Sequence, residues 1–161
     1  MKSNAYLLIT TLIIVCCSSC STTIYLVRHA EKVDNSTNSP LSATGLQHAN
    51  VLRDTLMNKS IDTIFASTFL RTQQTAQPLS TAINKSMVIY NKDTSIQFVN
   101  SIRNLRGKDI LVVGHSDNIP QMVITLTDSI VEIPDSVFNT MFIVKIKRFP
   151  SKRITLIKTT Y

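Results

Sequence analysis

The feature that most constrains this chain is a succession of short apolar runs separated by segments with helical periodicity. "TIYLV" (23–27), "IDTIFAS" (61–67), "SMVIY" (86–90) and "DILVVG" (109–114) have the length and composition of strands. Between the first two, Leu46, Ala49, Leu52 and Leu56 fall on one helical face, with Ser42 or Thr44 near its start as cap candidates. Leu70, Ala76, Leu79 and Ile83 suggest a second helix, which Pro78 is expected to end or kink. Ile96, Val99, Ile102 and Leu105 mark a third, with Gly107 where a C-terminal cap belongs. A short helix is expected from about Ile119 to Leu126. The tail "MFIVKIKRFPSKRITLIKTTY" alternates like two antiparallel strands around a turn at Pro150 and Ser151. Alternating strands and helices predict an α/β fold: a three-layer αβα sandwich on a mostly parallel central sheet, ending in an antiparallel C-terminal hairpin.

The first twenty residues are set apart. "MKSNAYLLITTLIIVCCSSC" has one early cation, Lys2, an apolar core from Ala5 to Val15, and then small residues. This is signal-peptide organisation, and the apolar run is short for a permanent membrane span. Cys16, Cys17 and Cys20 are the only cysteines, so a domain that begins after cleavage has no internal disulfide. The small Ser19 ahead of Cys20 resembles a bacterial lipoprotein signal, with 1–19 removed and Cys20 lipidated as the first mature residue. A plain signal peptide or a short anchor is the simpler alternative. On the lipoprotein reading, residues 20–161 form a single domain, exported to the cell envelope and anchored in a membrane, facing the periplasm or the outer surface. Only Ser21 to Thr23 separate the anchor from the first strand, so the working face of the domain is expected close to the membrane.

A net charge of +7 favours anionic partners. Nucleic acid is disfavoured, because no basic run is interleaved with aromatics and the chain has no tryptophan. In a doubly covered parallel sheet, ligands bind outside the carboxyl ends of the strands. There the first strand delivers Arg28 and His29, the second leads to Ser67 and Arg71, and "DILVVG" delivers His115. Two guanidiniums offer planar donor forks suited to a tetrahedral oxyanion such as phosphate. A histidine among them could bind a metal, act as acid or base, or attack phosphorus. Fixed positive charge disfavours a metal. Nucleophilic attack fits better, since neighbouring guanidiniums keep an imidazole neutral and stabilise the transferring phosphoryl group.

These residues carry a resemblance. "LVRHAEK" is similar to the "RHG" motif of the histidine phosphatase superfamily, the phosphoglycerate mutase-like fold, with Ala30 in place of the usual glycine. "LSATGLQHA", "STFLRTQQTA" and "VVGHSDN" resemble three further segments of that family in order and spacing. The resemblance implies that His29 is the nucleophile that becomes a phosphohistidine, and that Arg28, Arg71 and His115 grip the phosphoryl oxygens. Asn35 lies where many members place a phosphate-contacting asparagine, and the backbone around Ser116 adds donors at a helix start. No cofactor or metal is implied. The partners implied are a phosphorylated small molecule or phosphoprotein as substrate, with the membrane reached through the N-terminal lipid.

One departure stands out. Many members supply a general acid, usually glutamate, between the second and third motifs, but "NKDTSIQFVNSIRN" contains only Asp93. Asp117 is the other candidate acid, although a helix N-cap is its simpler role. The short form, without a lid insert, resembles bacterial phosphohistidine phosphatases and suits substrates with good leaving groups. Two functions are therefore expected: a phosphomonoester or phosphoramidate hydrolase working through His29, or a phosphate-binding module that keeps the pocket without an effective acid. Glu31 is expected to orient the motif through hydrogen bonds, His48 to have no chemical role, and Arg71 taken alone to pair with Asp54. Lys145, Lys147, Arg148, Lys152 and Arg153 protect an edge strand or meet anionic lipid.

Overall fold

In chain order, a computed structural model of residues 21–161 runs β1 (Ser21–Arg28), α1 (Ala43–Leu56), β2 (Thr63–Ser67), α2 (Leu70–Ala82), β3 (Met87–Tyr90), a 3-10 turn (Lys92–Thr94), α3 (Ser95–Arg103), β4 (Asp109–Gly114), α4 (Asn118–Thr127), β5 (Thr140–Lys147) and β6 (Arg153–Thr160). Residues 1–20, on which the expected signal peptide and the lipidated Cys20 fall, lie outside the described residues. One six-stranded sheet has the order β3-β2-β4-β1-β5-β6. Its first four strands are mutually parallel, while β5 and β6 are antiparallel additions beside β1.

Strand alternation divides the core in two. Ile24, Leu26, Ile110 and Val112 face one layer, where they pack with Val99 and Ile102 of α3 and Met122 and Leu126 of α4. Tyr25, Val27, Leu111 and Val113 face the other, with Leu52 and Leu56 of α1 and Ala76 and Leu79 of α2. The central strands are thus apolar on both faces, which is why they read as unbroken apolar runs in the sequence. Each fully buried aliphatic side chain contributes roughly 1.5–3 kcal/mol.

Three local expectations need correction. Leu46 is 48% exposed, because the buried stripe of α1 runs through Gly45, Ala49, Leu52 and Leu56 and leaves Leu46 one step aside. α2 continues through Pro78 instead of ending there. Burial of Thr75, Ala76, Leu79 and Ser80 on either side offsets the hydrogen bond that proline cannot donate. α3 closes at Asn104, and Gly107 lies three residues further on, with a φ of 62°, in the turn into β4.

The parallel strands end at one edge in Arg28, Ser67, Tyr90 and Gly114. Ser21, the first residue of β1, is at the opposite edge, about 23 Å away along the strand at roughly 3.3 Å per residue step. The strand carries the Arg28–His29 end away from the N-terminal junction, contrary to the expectation that the working face lies beside it.

Candidate active site

Close approaches between backbone segments build the pocket. The start of α1 packs on the turn after β1. Ser42 donates its backbone N–H to the Glu31 carbonyl at 2.9 Å, and its hydroxyl caps the helix by accepting from Gly45 at 3.1 Å. A β-carbon on Gly45 would lie 2.1 Å from that same Glu31 oxygen, so only glycine permits the contact. At the end of β4, a β-carbon on Gly114 would meet the Asn118 Oδ1 at 2.6 Å. That oxygen accepts from the His115 N–H at 2.7 Å, while the Asn118 amide donates to the Tyr90 and Ser95 hydroxyls.

The ring centroids of His29 and His115 lie 5.3 Å apart, and both side chains are buried. His29 Nδ1–H donates to the Ala30 carbonyl at 2.7 Å. A carbonyl can only accept, so the bond fixes the tautomer and leaves the Nε2 lone pair free. Burial is the main cause that lowers the His29 pKa to about 4. The Ala30 hydrogen bond opposes this, and Arg71, Arg28 and Lys32 add to the lowering. The guanidiniums therefore contribute to neutrality, but desolvation comes first. His115 is lowered to about 3, by burial first and then by His29, Arg71 and Lys92, against a raising contribution from Asp117.

His115 is held at both nitrogens. Its Nδ1 accepts from an Arg71 NH2 proton at 3.3 Å, so in the neutral ring Nε2–H donates to the Ser67 hydroxyl at 2.8 Å. Ser67 in turn meets the Thr72 hydroxyl at 2.9 Å, and Thr72 donates to the Phe69 carbonyl at 2.7 Å. The polar residues of "STFLRTQQTA" thus tie the pocket together. Gln74 Oε1 accepts from Leu41 N–H at 2.7 Å, and Thr75 Oγ1 accepts from Ala30 N–H at 3.0 Å.

Both arginines are braced from behind. Arg28 NH1 donates to the carbonyls of Pro134, Asp135 and Val137, and its guanidinium lies 4.1 Å from the Phe138 ring centroid. Arg71 NH1 donates to Thr37 O at 2.8 Å, and its guanidinium lies 4.5 Å from the Phe69 ring centroid. Asp54 is instead paired with Arg53 at 2.8 Å. The Nε atoms of Arg28 and Arg71 are buried and have no hydrogen-bond partner among the described residues. A buried unsatisfied donor costs roughly 1–3 kcal/mol, so two beside a free imidazole lone pair create a demand for a multivalent acceptor. A tetrahedral oxyanion meets that demand.

The other candidates are less closely tied to the two imidazoles. Asn35 is exposed in the loop after β1, and no hydrogen bond ties its side chain to the pocket; the same loop brings Thr37 O to Arg71 and Asn38 Oδ1 to Leu70 N–H. Ser116 is half-buried in the turn between β4 and α4. Asp117 precedes α4 but makes no side-chain cap; its carboxylate pairs with Lys92 at 2.6 Å. Burial works to raise the Asp117 pKa, yet Lys92, Asn118 N–H and His115 outweigh it and the carboxyl is lowered. Asp93 is exposed on the 3-10 turn, so β3 delivers Lys92, not Asp93, to the pocket rim. Glu31 accepts from His48 at 2.8 Å, which gives His48 a positioning partner that its place on α1 did not suggest. Sequence reasoning also missed Phe138 and Lys92, for which no local pattern exists. It passed over Thr72, Gln74 and Thr75, although all three stand inside a motif it had quoted.

Residues 24–94 match the family model described as Histidine phosphatase superfamily (branch 1). The six-stranded sheet and its helices superpose on solved members of that group. The fold is that of the histidine phosphatases. A protein histidine phosphatase SixA complexed with tungstate aligns with a TM-score of 0.67 at 14% identity, over 86% of this chain and 96% of that one. SixA from Agrobacterium tumefaciens aligns at 0.60 and 18% identity, over 86% of this chain and 98% of that one. In sequence, a probable phosphoglycerate mutase GpmB of Yersinia pestis is 33% identical over 72 residues, which are 40% of this chain and 34% of that protein. The match thus spans about a third of the length of that relative. Within the histidine phosphatase fold, His29 and Arg71 fall in the segment matched by the family model, and His115 lies beyond it.

Proposed function

We propose that the chain is a cofactor-free phosphatase of the histidine phosphatase superfamily, acting on a phosphomonoester or phosphoramidate through a phosphohistidine at His29. The observation that carries this is the free Nε2 of a neutral, buried imidazole beside two orphaned guanidinium N–H groups. The Nε2 lone pair attacks phosphorus as the bond to the leaving group breaks. Arg28 and Arg71 hold the equatorial oxygens, where most stabilisation arises in phosphoryl transfer. Water then attacks the phosphohistidine, its oxygen and protons leave in the phosphate product, and neutral imidazole is restored with Nδ1–H still donating to the Ala30 carbonyl. The tungstate carried by the first solved relative is the same kind of tetrahedral oxyanion.

Because Lys92 holds Asp117 ionised and Asp93 is exposed, we assign neither carboxyl as the proton donor to a leaving group. Substrates whose leaving group departs without that help, such as phosphohistidine or aryl phosphates, fit best. The same observation favours a second reading, a phosphate- or phosphoprotein-binding module of low turnover. Steady-state assay of the purified protein with an aryl phosphate separates the two. Turnover with an acid-labile, base-stable label on His29 supports the phosphatase, whereas vanadate binding without turnover supports the module. We further propose export and anchoring through lipid on Cys20, supported by Lys2, the apolar 5–15 segment and Ser19. Palmitate labelling that persists in Cys20→Ser would overturn the anchor.

A further inference from the structure

The end of the sheet opposite His29 is strongly cationic and has no part in the phosphoryl chemistry. The segments that close it, 57–62, 83–86, 104–108 and 147–153, carry eight lysines and arginines and one carboxylate, Asp62. Asp62 is occupied by Lys108 at 3.2 Å and the Asp109 N–H at 2.9 Å. Asp109, half-buried at the start of β4, Asp128 at the C-terminal cap of α4, and Asp54, paired with Arg53, are the neighbouring acids. In the β5–β6 turn Phe149 is 55% exposed, and Lys147, Lys152 and Arg153 are exposed around it. Arg148 is used differently. Its guanidinium donates to the Thr22 hydroxyl at 3.1 Å and to the Arg103 carbonyl, which pins the turn beside the start of β1.

Ser21 pairs with Lys147 in the β1–β5 ladder. The segment bearing Cys20 and the apolar residues 5–15 therefore meets the fold about one strand spacing, roughly 5 Å, from this turn. An exposed aromatic ringed by cations with long aliphatic stems matches the interface of an anionic bilayer: the ring enters the headgroup boundary while the charges meet lipid phosphates. Nucleic acid would use the charges alone and would not explain their position at the junction with an apolar segment.

We propose that the β5–β6 turn is a second membrane contact, seating Phe149, Lys147, Lys152 and Arg153 on an anionic lipid surface. β1 then stands away from the bilayer with the His29 pocket at its far end, open to bulky soluble substrates. The inference rests on the anchor reading, because the anchor is what brings this end of the molecule to the lipid.

The chain has no tryptophan, so Phe149→Trp introduces a single reporter at an exposed position. The full chain carrying it is reconstituted on vesicles of phosphatidylcholine, alone or mixed with phosphatidylglycerol, and floated to score attachment separately from docking. On the anionic vesicles the emission shifts to the blue and is quenched by brominated acyl chains; on neutral vesicles it is not. Replacing Lys147, Lys152 and Arg153 together with glutamine weakens docking by about fivefold per charge removed and leaves the unfolding temperature unchanged. Flotation with an unshifted emission on anionic vesicles would overturn the second contact and leave the anchor standing. So would a shift equal on both lipids, or one reversed by an oligonucleotide. Failure to float on either lipid would overturn the anchor and this inference together.

Discussion

His29 and His115 end neighbouring parallel strands, with their rings 5.3 Å apart and both kept neutral mainly by burial, yet their niches differ. His29 is oriented by its own chain, through the next residue's carbonyl, and one nitrogen stays free. His115 is oriented from β2 and α2, with Arg71 on one nitrogen and the Ser67–Thr72 hydroxyls behind the other. A nucleophile needs an uncommitted lone pair, so its orienting bond must come from the far side of the ring. A residue that positions an arginine needs both sides committed. On the proposed mechanism, the same side chain serves as the attacking group in one niche and as a brace in the other.

The largest effect expected from this contrast is that of His29→Ala, which should lower kcat by at least about a thousandfold and abolish the acid-labile label. His115→Ala should reduce kcat less and leave single-turnover labelling detectable. Equal loss in the two variants would remove the distinction between the niches. Next comes Arg71→Lys, expected to lower kcat by roughly a hundredfold, because an ammonium cannot hold His115 Nδ1 and a phosphoryl oxygen with one planar fork.

Stability should report the buried imidazoles directly. The His29 pKa is held at about 4, against 6.5 for the unfolded chain, so between those values the unfolded state binds more protons. This contribution is fully present above pH 6.5, falls as pH drops toward 4 and is flat below, an effect on the order of 3 kcal/mol. His115, at about 3, extends the fall further into acid. Urea midpoints across this window should therefore drop less steeply in His29→Gln than in the parent chain. An identical slope would argue that His29 is not buried in the neutral form.

A smaller effect tests the brace alone. Ser67→Ala removes the acceptor of His115 Nε2–H, a hydrogen bond worth about 1 kcal/mol, and should lower kcat about fivefold with KM little changed. Thr should restore most of the loss at that position. Smallest of all is Asp93→Asn, which should alter neither kcat nor the ratio of rates for good and poor leaving groups, because the side chain is exposed on the 3-10 turn. A selective loss with poor leaving groups would make Asp93 the missing acid.

Much of this architecture was legible before any coordinates. Strand and helix order followed from apolar periodicity, which is a local property of the chain. The sequence misleads where a neighbour decides: the buried stripe of α1 runs through Gly45 and leaves Leu46 aside, and of the two outcomes expected at Pro78, a stop or a kink, the stop is excluded because burial on both sides carries α2 through it. At the site, Arg28, His29 and His115 stood at the ends of apolar runs and could be read as strand termini. Asn35 was inferred by position in a loop whose course spacing does not specify; the loop's contacts to α2 are made by Thr37 and Asn38.

By itself, then, the sequence determined the order of elements and the residue types delivered to one edge of the sheet, because alternation and helical period are written within a few residues of each position. Tertiary structure alone decided which nitrogen of His29 is free, that the Asp117 carboxylate pairs with Lys92, and that Phe138 backs Arg28. Those outcomes depend on partners brought together from as far as 110 residues apart along the chain, as with Arg28 and Phe138. Proton positions and pKa values are set by such neighbours and by the burial they impose, and no local pattern encodes either one.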